Sequence, residues 1–162
     1  MLDTDSLAAL GLGGLFLASF LAGTVVAFGS EAVLVALLLL GVAPVPAVAV
    51  GSLGNTLGGL TVYALGRAVV SRETTRRWVM EHRWAARLHK ADPERLRQAQ
   101  ARLERWGPVA LLLSWLPAVG DLLVLAAGLA RVGWGRVIFF VAVGKTARYI
   151  AFTWAVLAAR PG

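Results

Sequence analysis

The sequence has no cysteine and only two histidines in 162 residues. Without thiols the chain can form neither disulfide bonds nor thiolate metal sites. The two histidines, His82 and His89, lie seven residues apart with no further ligand type beside them, so the sequence predicts no metal site and no cofactor. A nucleophile paired with a base and a phosphate-binding loop are also missing, which argues against an enzyme.

Charged residues are scarce over long stretches. Between Ser6 and Gly66, Glu31 is the only charge, and hydrophobic residues make up 58% of the chain, with a mean hydropathy of +0.72. A soluble domain is about half apolar and about a quarter charged. The composition therefore predicts an all-α integral membrane protein. Asp3 and Asp5 precede the first apolar run without any Lys or Arg, so we expect no cleaved signal peptide there.

The net charge of +7 is concentrated in one stretch. Residues 67–105 contain 11 basic and 5 acidic side chains. Asp92-Pro93 begins a predicted helix whose apolar face opposes a row of arginines, which is typical of a helix lying on an anionic membrane surface. Basic loops stay on the cytoplasmic side, so we expect this segment in the cytoplasm. With flanking apolar runs and no recognition motif, we expect no nucleic-acid partner.

The apolar runs predict full spans and shorter pieces. About twenty residues cross a bilayer, so spans are expected at 7–28, 45–66 and 137–159. The prolines at 44 and 46 leave a half-length helix over 31–40. The run 108–130 is broken near its middle, which indicates a hairpin with its tip at 117–121, lining a cavity.

A shift of ninety residues aligns the two halves of the sequence without a gap. Glu31 falls on Asp121, and the shift also pairs Ala36 with Ala126, Gly54 with Gly144 and Thr56 with Thr146. We therefore predict two inverted repeats, each with a re-entrant hairpin or broken helix plus a spanning helix, joined by a cytoplasmic amphipathic helical segment. The three parts of this single domain, residues 1–162, are 7–66, 67–107 and 108–160.

Two acids and two bases are predicted to meet inside the membrane. A charge at bilayer depth costs about 3 kcal/mol by insertion scales and marks a functional site by default. Glu31 and Asp121 are the candidate proton-titrating groups, and Lys145, Arg148 and Arg67 are the predicted ion-pair partners or bind an anion. The alternative is that the ion pairs only fix the packing. The predicted supporting polar or hairpin positions are Ser30, Asn55, Thr56, Tyr63, Ser114, Pro117, Gly120 and Thr146.

Three stretches carry a family resemblance: Gly29–Leu34 (GSEAVL), Gly54–Gly59 (GNTLGG) and Ser114–Asp121 (SWLPAVGD). Together with Tyr63-Ala64-Leu65-Gly66-Arg67, their order resembles the DedA family of the VTT (SNARE-associated) superfamily, in its YqaA-like branch. The resemblance implies two re-entrant hairpins that face each other. It further implies translocation of undecaprenyl phosphate or phospholipids across a bacterial-type inner membrane, linked to the proton motive force.

The resemblance is incomplete at positions that matter for phosphate binding. Glu31, Pro117, Tyr63, Gly66 and Arg67 carry over directly. The broader family has an arginine on each side of the second hairpin's proline, where this chain has Ser114 and Gly120, and usually an acid at the position of Gly59. On electrostatic grounds, Lys145 and Arg148 are the available substitutes for those arginines.

Three functions remain open from the sequence. The leading hypothesis is a transporter of a phosphate-bearing lipid that uses Glu31 or Asp121 to bind protons. The second is an exchanger of a small cation for protons that uses the same acids. The third is a membrane scaffold that transports nothing. The expected partners are membrane lipids and protons, and the chain is compatible with a homo-oligomer.

Overall fold

A computed structural model describes residues 4–24, 29–71, 94, 98, 101–102, 105–116 and 119–159 of the chain. All regular structure in these residues is helical. Five α-helices and one 3₁₀ helix are described: α1 (Thr4–Gly23), α2 (Ser30–Leu39), α3 (Pro44–Ser71), the 3₁₀ helix (Gly107–Trp115), α4 (Val119–Leu129) and α5 (Trp134–Ala158). The residues described between 94 and 106 are helical and exposed.

Helix α1 packs directly on the backbone of α3 through glycines. A Cβ atom at Gly54 would lie 2.6 Å from the carbonyl oxygen of Phe16, and one at Gly58 would overlap that of Phe20. Small residues allow such close approach between membrane helices, where lipid gives no hydrophobic drive for association. The same contact occurs in the second half, where a Cβ atom at Gly144 of α5 would lie 2.6 Å from the carbonyl oxygen of Leu112.

The turn from α2 to α3 and the turn from α4 to α5 have the same geometry. In the first, the amide of Val42 donates to the carbonyl of Leu37 across 3.0 Å, and Gly41 has a φ of 89°. In the second, the amide of Val132 donates to Ala127 across 3.0 Å, and Arg131 has a φ of 54°. Both are Schellman turns, and their residues are ninety positions apart. Arg131 is a non-glycine residue in a conformation that favours glycine.

Helix α4 lies against α3 with the two backbones in contact. A Cβ atom at Gly66 would lie 2.7 Å from the carbonyl oxygen of Leu125, and one at Gly128 would overlap the carbonyl of Tyr63. The corresponding crossing of α2 and α5 is different, because Leu38 and Val156 occupy the positions ninety residues from Gly128 and Gly66. Both pack in one apolar cluster with Tyr149. Large side chains thus separate α2 from α5, whereas α4 and α3 touch.

We expect Gly128→Ala to destabilise the protein by about 1–3 kcal/mol, the usual effect of overpacking. The new methyl group would meet backbone atoms, including the amide nitrogen of Arg67 at 3.0 Å, and these cannot rotate away. Gly135→Ala is the matched control, because Gly135 is also helical but has nothing within 4 Å of its Cβ position. Chemical unfolding in detergent measures both changes. Equal stability of the two variants would contradict the predicted contact.

Several sequence-based boundaries need correction. Helix α3 does not end at Gly66 but continues to Ser71, so Arg67 is part of it. The first arm predicted for the second hairpin is a 3₁₀ helix, with Pro108 in its first turn, and not an α-helix. Asp121 lies inside the first turn of α4 and not at a break. Residues 25–28, Pro117 and most of 67–107, including His82 and His89, lie outside the described residues.

Two of the described helices are long and apolar enough to cross a membrane, by length and composition: 44–68 within α3, and α5. The other apolar helices are shorter, namely 10–23 within α1, α2 and α4, so the span predicted over 7–28 is not among those long enough in the described residues. The surface of the bundle also carries large hydrophobic side chains in unusual number for a protein in water, among them Leu17, Leu40, Phe139, Phe152 and Trp154.

Candidate functional site

Asn55 and Lys145 face each other in the interior of the helix bundle. Each lies eleven residues after the first residue of its helix, α3 and α5 respectively, which is about 16 Å along the axis. The Nζ atom of Lys145 donates a hydrogen bond to Oδ1 of Asn55. Lys145 is only 2% exposed. Gly59 leaves room for it, because a Cβ atom there would lie 3.1 Å from Cε of Lys145.

Lys145 also forms an ion pair with Asp121. The distance from Nζ to Oδ1 of Asp121 is 3.7 Å. The Asp121 side chain is 31% exposed, so this acid reaches the boundary of the buried region, whereas its partner does not. Asp121 lies in the first turn of α4, where the helix dipole favours a negative charge.

Glu31 and Arg148 form a second ion pair, between α2 and α5. Glu31 lies in the first turn of α2, and its Oε1 forms the ion pair with Nη2 of Arg148. Both side chains are 18% exposed, which leaves the pair partly accessible. The four charged residues predicted from the sequence are thus arranged as two acid–base pairs, and α5 supplies both bases.

Tyr149 lies between residues that adjoin the two pairs. Its hydroxyl lies 2.8 Å from Oγ of Ser30, 2.8 Å from Oγ of Ser19 and 3.4 Å from Nδ2 of Asn55. The ring lies against Gly51, where a Cβ atom would be 2.8 Å from Cδ1 of the tyrosine. Six residues are joined by these contacts, and the pair of Glu31 and Arg148 is attached to them through its chain neighbours Ser30 and Tyr149. We call these eight residues the central polar cluster: Ser19, Ser30, Glu31, Asn55, Asp121, Lys145, Arg148 and Tyr149.

The remaining predicted supporting positions do not belong to the central polar cluster. Thr56 is buried and Thr146 is half-buried. Ser114 is buried, and its Oγ has no hydrogen-bond partner in the described part of the chain. A Cβ atom at Gly120 would overlap the backbone carbonyl of Ser114, so the two predicted hairpin positions lie against each other. Pro117 is outside the described residues.

Tyr63 and Arg67 form a separate contact. The Tyr63 hydroxyl donates to the carbonyl of Val132, and Nη1 of Arg67 lies 3.1 Å from that hydroxyl and 3.4 Å from the same carbonyl. The Tyr63 ring meets Trp134 edge to face, with 4.5 Å between the ring centroids. These residues hold α3 to the turn before α5. The described contacts do not connect Arg67 with the acids of the central polar cluster.

Sequence reasoning missed Ser19, Tyr149 and the role of Gly51. A serine or tyrosine in an apolar helix is not distinctive, since the hydroxyl can bind the preceding turn or reach the membrane interface. The only available signal was that Tyr149 follows Arg148 and Ser30 precedes Glu31. Among the described residues, no three His, Cys, Asp or Glu side chains come together as metal ligands would.

Long apolar helices, a surface rich in exposed leucine and aromatic residues, and ionisable groups paired inside the bundle define a helical membrane protein. The chain is 45% identical over 144 residues to the inner membrane protein YqaA of Escherichia coli, which covers 88% of this chain and 89% of YqaA. YqaA of Shigella flexneri gives the same values. The chain therefore belongs to the YqaA family of membrane proteins.

A more distant relative is an uncharacterized protein of Haemophilus influenzae, which is 36% identical over 147 residues, covering 85% of this chain and 82% of the relative. No protein-family model and no solved structure matches the chain.

Proposed function

We propose that the protein is a DedA-type transporter that moves a phosphate-bearing lipid, such as undecaprenyl phosphate or a phospholipid, across the inner membrane together with protons. The observation that carries this proposal is the arrangement of two acid–base pairs, Glu31 with Arg148 and Asp121 with Lys145, inside an apolar bundle. Ionisable groups at membrane depth are rare, pair with one another and mark substrate or proton pathways.

The architecture in this proposal is that of two inverted repeats. Helix α3 begins at Pro44 and α5 at Trp134, ninety residues later, and the Schellman turns before them are equivalent. Asn55 and Lys145 are themselves ninety residues apart and contact each other. Equivalent residues meet where a pseudo-two-fold axis passes between repeats, and transporters of this kind bind their substrates there. The short helices α2 and α4 are the second arms of the two hairpins.

Proton coupling follows because the lipid phosphate and the carboxylates compete for the same two bases, Arg148 and Lys145. Arg and Lys are the natural ligands of a phosphate group, but here each of them already has a carboxylate partner. A proton that binds to Glu31 or Asp121 removes the negative charge that competes with the phosphate. By linkage, binding of the lipid phosphate favours binding of the proton to the same degree. The lipid and the proton therefore travel in the same direction.

The pairs are placed for entry of a headgroup from the bilayer. The Asp121 side chain is 31% exposed and Glu31 is 18% exposed, whereas Lys145 behind them is almost completely buried. A phosphate that displaces Glu31 can thus reach Arg148 without opening the core of the bundle. Lys145 becomes accessible only when neighbouring helices move apart. The proposed orientation of the protein in the membrane places the basic segment 67–107 in the cytoplasm, as expected for Lys- and Arg-rich loops. No catalytic step is assigned.

Transport by the purified protein in liposomes tests the proposal. The probe is phosphatidic acid with a fluorescent acyl chain, and its exposure to a membrane-impermeant quencher reports movement between leaflets. We expect the protein to accelerate this movement, more strongly when a pH gradient drives protons in the same direction. A fluorescent glucosylceramide, with a polar headgroup but no phosphate, should not be accelerated.

The same liposomes distinguish the other two functions. Movement of Na⁺ or K⁺ against protons, followed with a pH-sensitive dye in the lumen and without movement of the lipid probe, would show a cation/proton exchanger. No movement of lipid, cation or proton would leave a scaffold. Either result would overturn the proposed function.

A further inference from the structure

The geometry points to Tyr149 as a positioning residue that joins the two acid–base pairs into one site. The inference rests on the proposed function for its biological meaning, but the contacts that carry it are independent of the cargo. Tyr149 lies on α5 and contacts polar groups of three other helices, namely Ser19 of α1, Ser30 of α2 and Asn55 of α3.

The Tyr149 hydroxyl is fully used by these contacts. A phenol has one donor and two acceptor positions. The hydroxyl donates to Ser19 and accepts from Nδ2 of Asn55, so the proton between Tyr149 and Ser30 belongs to Ser30. All four residues are buried. A polar group in such a place is costly unless every hydrogen bond is made, which fixes the hydroxyl in one position.

On one side the hydroxyl connects to the pair formed by Asp121 and Lys145. The amide of Asn55 bridges them, because its oxygen accepts from Lys145 while its nitrogen donates to Tyr149. This use of both ends sets the orientation of the amide. If the ammonium group of Lys145 moves toward a ligand, or its ion pair with Asp121 breaks, the Asn55 amide must change its position. Because the amide nitrogen is bonded to Tyr149, this change also reaches the tyrosine hydroxyl.

On the other side the hydroxyl contacts Ser30, which adjoins the pair formed by Glu31 and Arg148. Ser30 and Glu31 are consecutive in α2, and Tyr149 and Arg148 are consecutive in α5. The first turn of α2 therefore contacts α5 through two adjacent links, the hydrogen bond of Ser30 and the ion pair of Glu31. A change at Glu31 that shifts this turn also changes the hydrogen bond to Tyr149.

Tyrosine NMR tests the connection without any transport assay. The chain has two tyrosines, so protein labelled with ¹³C at tyrosine Cζ gives two signals, and Tyr63→Phe and Tyr149→Phe assign them by difference. In lipid nanodiscs, we expect Asp121→Asn and Glu31→Gln each to shift the Tyr149 signal. Thr153→Val is the matched control, because it removes a buried hydroxyl of α5 that has no hydrogen-bond partner in the described part of the chain. It should leave the signal in place.

Transport then shows whether the connection is used. If Tyr149 joins the pairs, the losses caused by Asp121→Asn and Glu31→Gln should be non-additive by at least about fivefold in the tyrosine protein. In the Tyr149→Phe background, the ring still fills the space at Gly51. There the loss of transport in the double variant should equal the product of the losses caused by Asp121→Asn and Glu31→Gln alone. A Tyr149 signal that responds to neither or only one of the two substitutions would overturn the inference, and so would equal non-additivity in both backgrounds. If the wild-type protein moves no lipid, the proposed function fails, and the NMR result still decides the role of Tyr149.

Discussion

Asp121→Asn is expected to reduce the free energy of unfolding by about 3 kcal/mol, a typical cost of breaking a buried ion pair by removing one partner. Lys145 is 2% exposed and, among the described residues, would keep only the Asn55 amide as a partner. Its ammonium group cannot reach water without displacing neighbouring helices. The substitution changes neither the size nor the shape of the side chain appreciably, so the loss would come from the missing negative charge. Chemical unfolding in detergent, followed by circular dichroism, measures it.

A double-mutant comparison separates this cause from a general packing defect. When Lys145→Met is added to Asp121→Asn, the buried charge disappears, and we expect much of the lost stability to return. Lys145→Met alone should cost less than Asp121→Asn alone, because the remaining carboxylate is 31% exposed and can be hydrated. A double variant as unstable as Asp121→Asn would show that the ion pair does not account for the effect.

Glu31→Gln is expected to lower lipid transport at least about tenfold while the fold is retained. A hydrogen bond between charged groups contributes about 1.5–3 kcal/mol, and a factor of ten corresponds to about 1.4 kcal/mol. Glutamine imitates the protonated acid, so Arg148 would be permanently available to the phosphate. We therefore expect the lipid phosphate to bind at every pH but to be released slowly. Binding and turnover of fluorescent phosphatidic acid, compared across pH, measure the two effects separately.

Glu94→Gln provides the matched control for the loss of one carboxylate. Glu94 is exposed and lies outside the bundle helices, so the same chemical change there should leave transport within about twofold of wild type, as most surface substitutions do. Wild-type turnover and an unchanged pH dependence in Glu31→Gln would contradict the proposed role of this acid.

The sequence predicted the charged part of the site because a charge in an apolar run stands out. Glu31, Asp121, Lys145 and Arg148 were identifiable from their isolation alone, and Asn55 from its position opposite Lys145 under the ninety-residue shift. The structure pairs Glu31 with Arg148, and Lys145 with Asp121 and Asn55. Their roles in transport stay predictions, as do the re-entrant course of the hairpins and the cytoplasmic side of the basic segment.

The remaining parts depend on tertiary contacts that leave no pattern in the sequence. Tyr149 is in place because Gly51, on another helix, lacks a side chain. The extension of α3 to Ser71 shows that a glycine followed by an arginine need not end a helix when the helix is packed along its length. The sequence did not indicate the 3₁₀ form of residues 107–115, because i,i+3 and i,i+4 helices have similar composition.

The unequal crossings of the short helices make the two halves mechanically different. Where α4 meets α3, glycines on both sides bring main chain against main chain, and sliding these surfaces would open a void that no side chain can fill. Where α2 meets α5, Leu38 and Val156 belong to a cluster of flexible aliphatic groups that can change rotamers and keep contact. The bundle thus combines a rigid contact between α4 and α3 with a deformable contact between α2 and α5. Glu31 lies on α2, one of the two helices of the deformable contact.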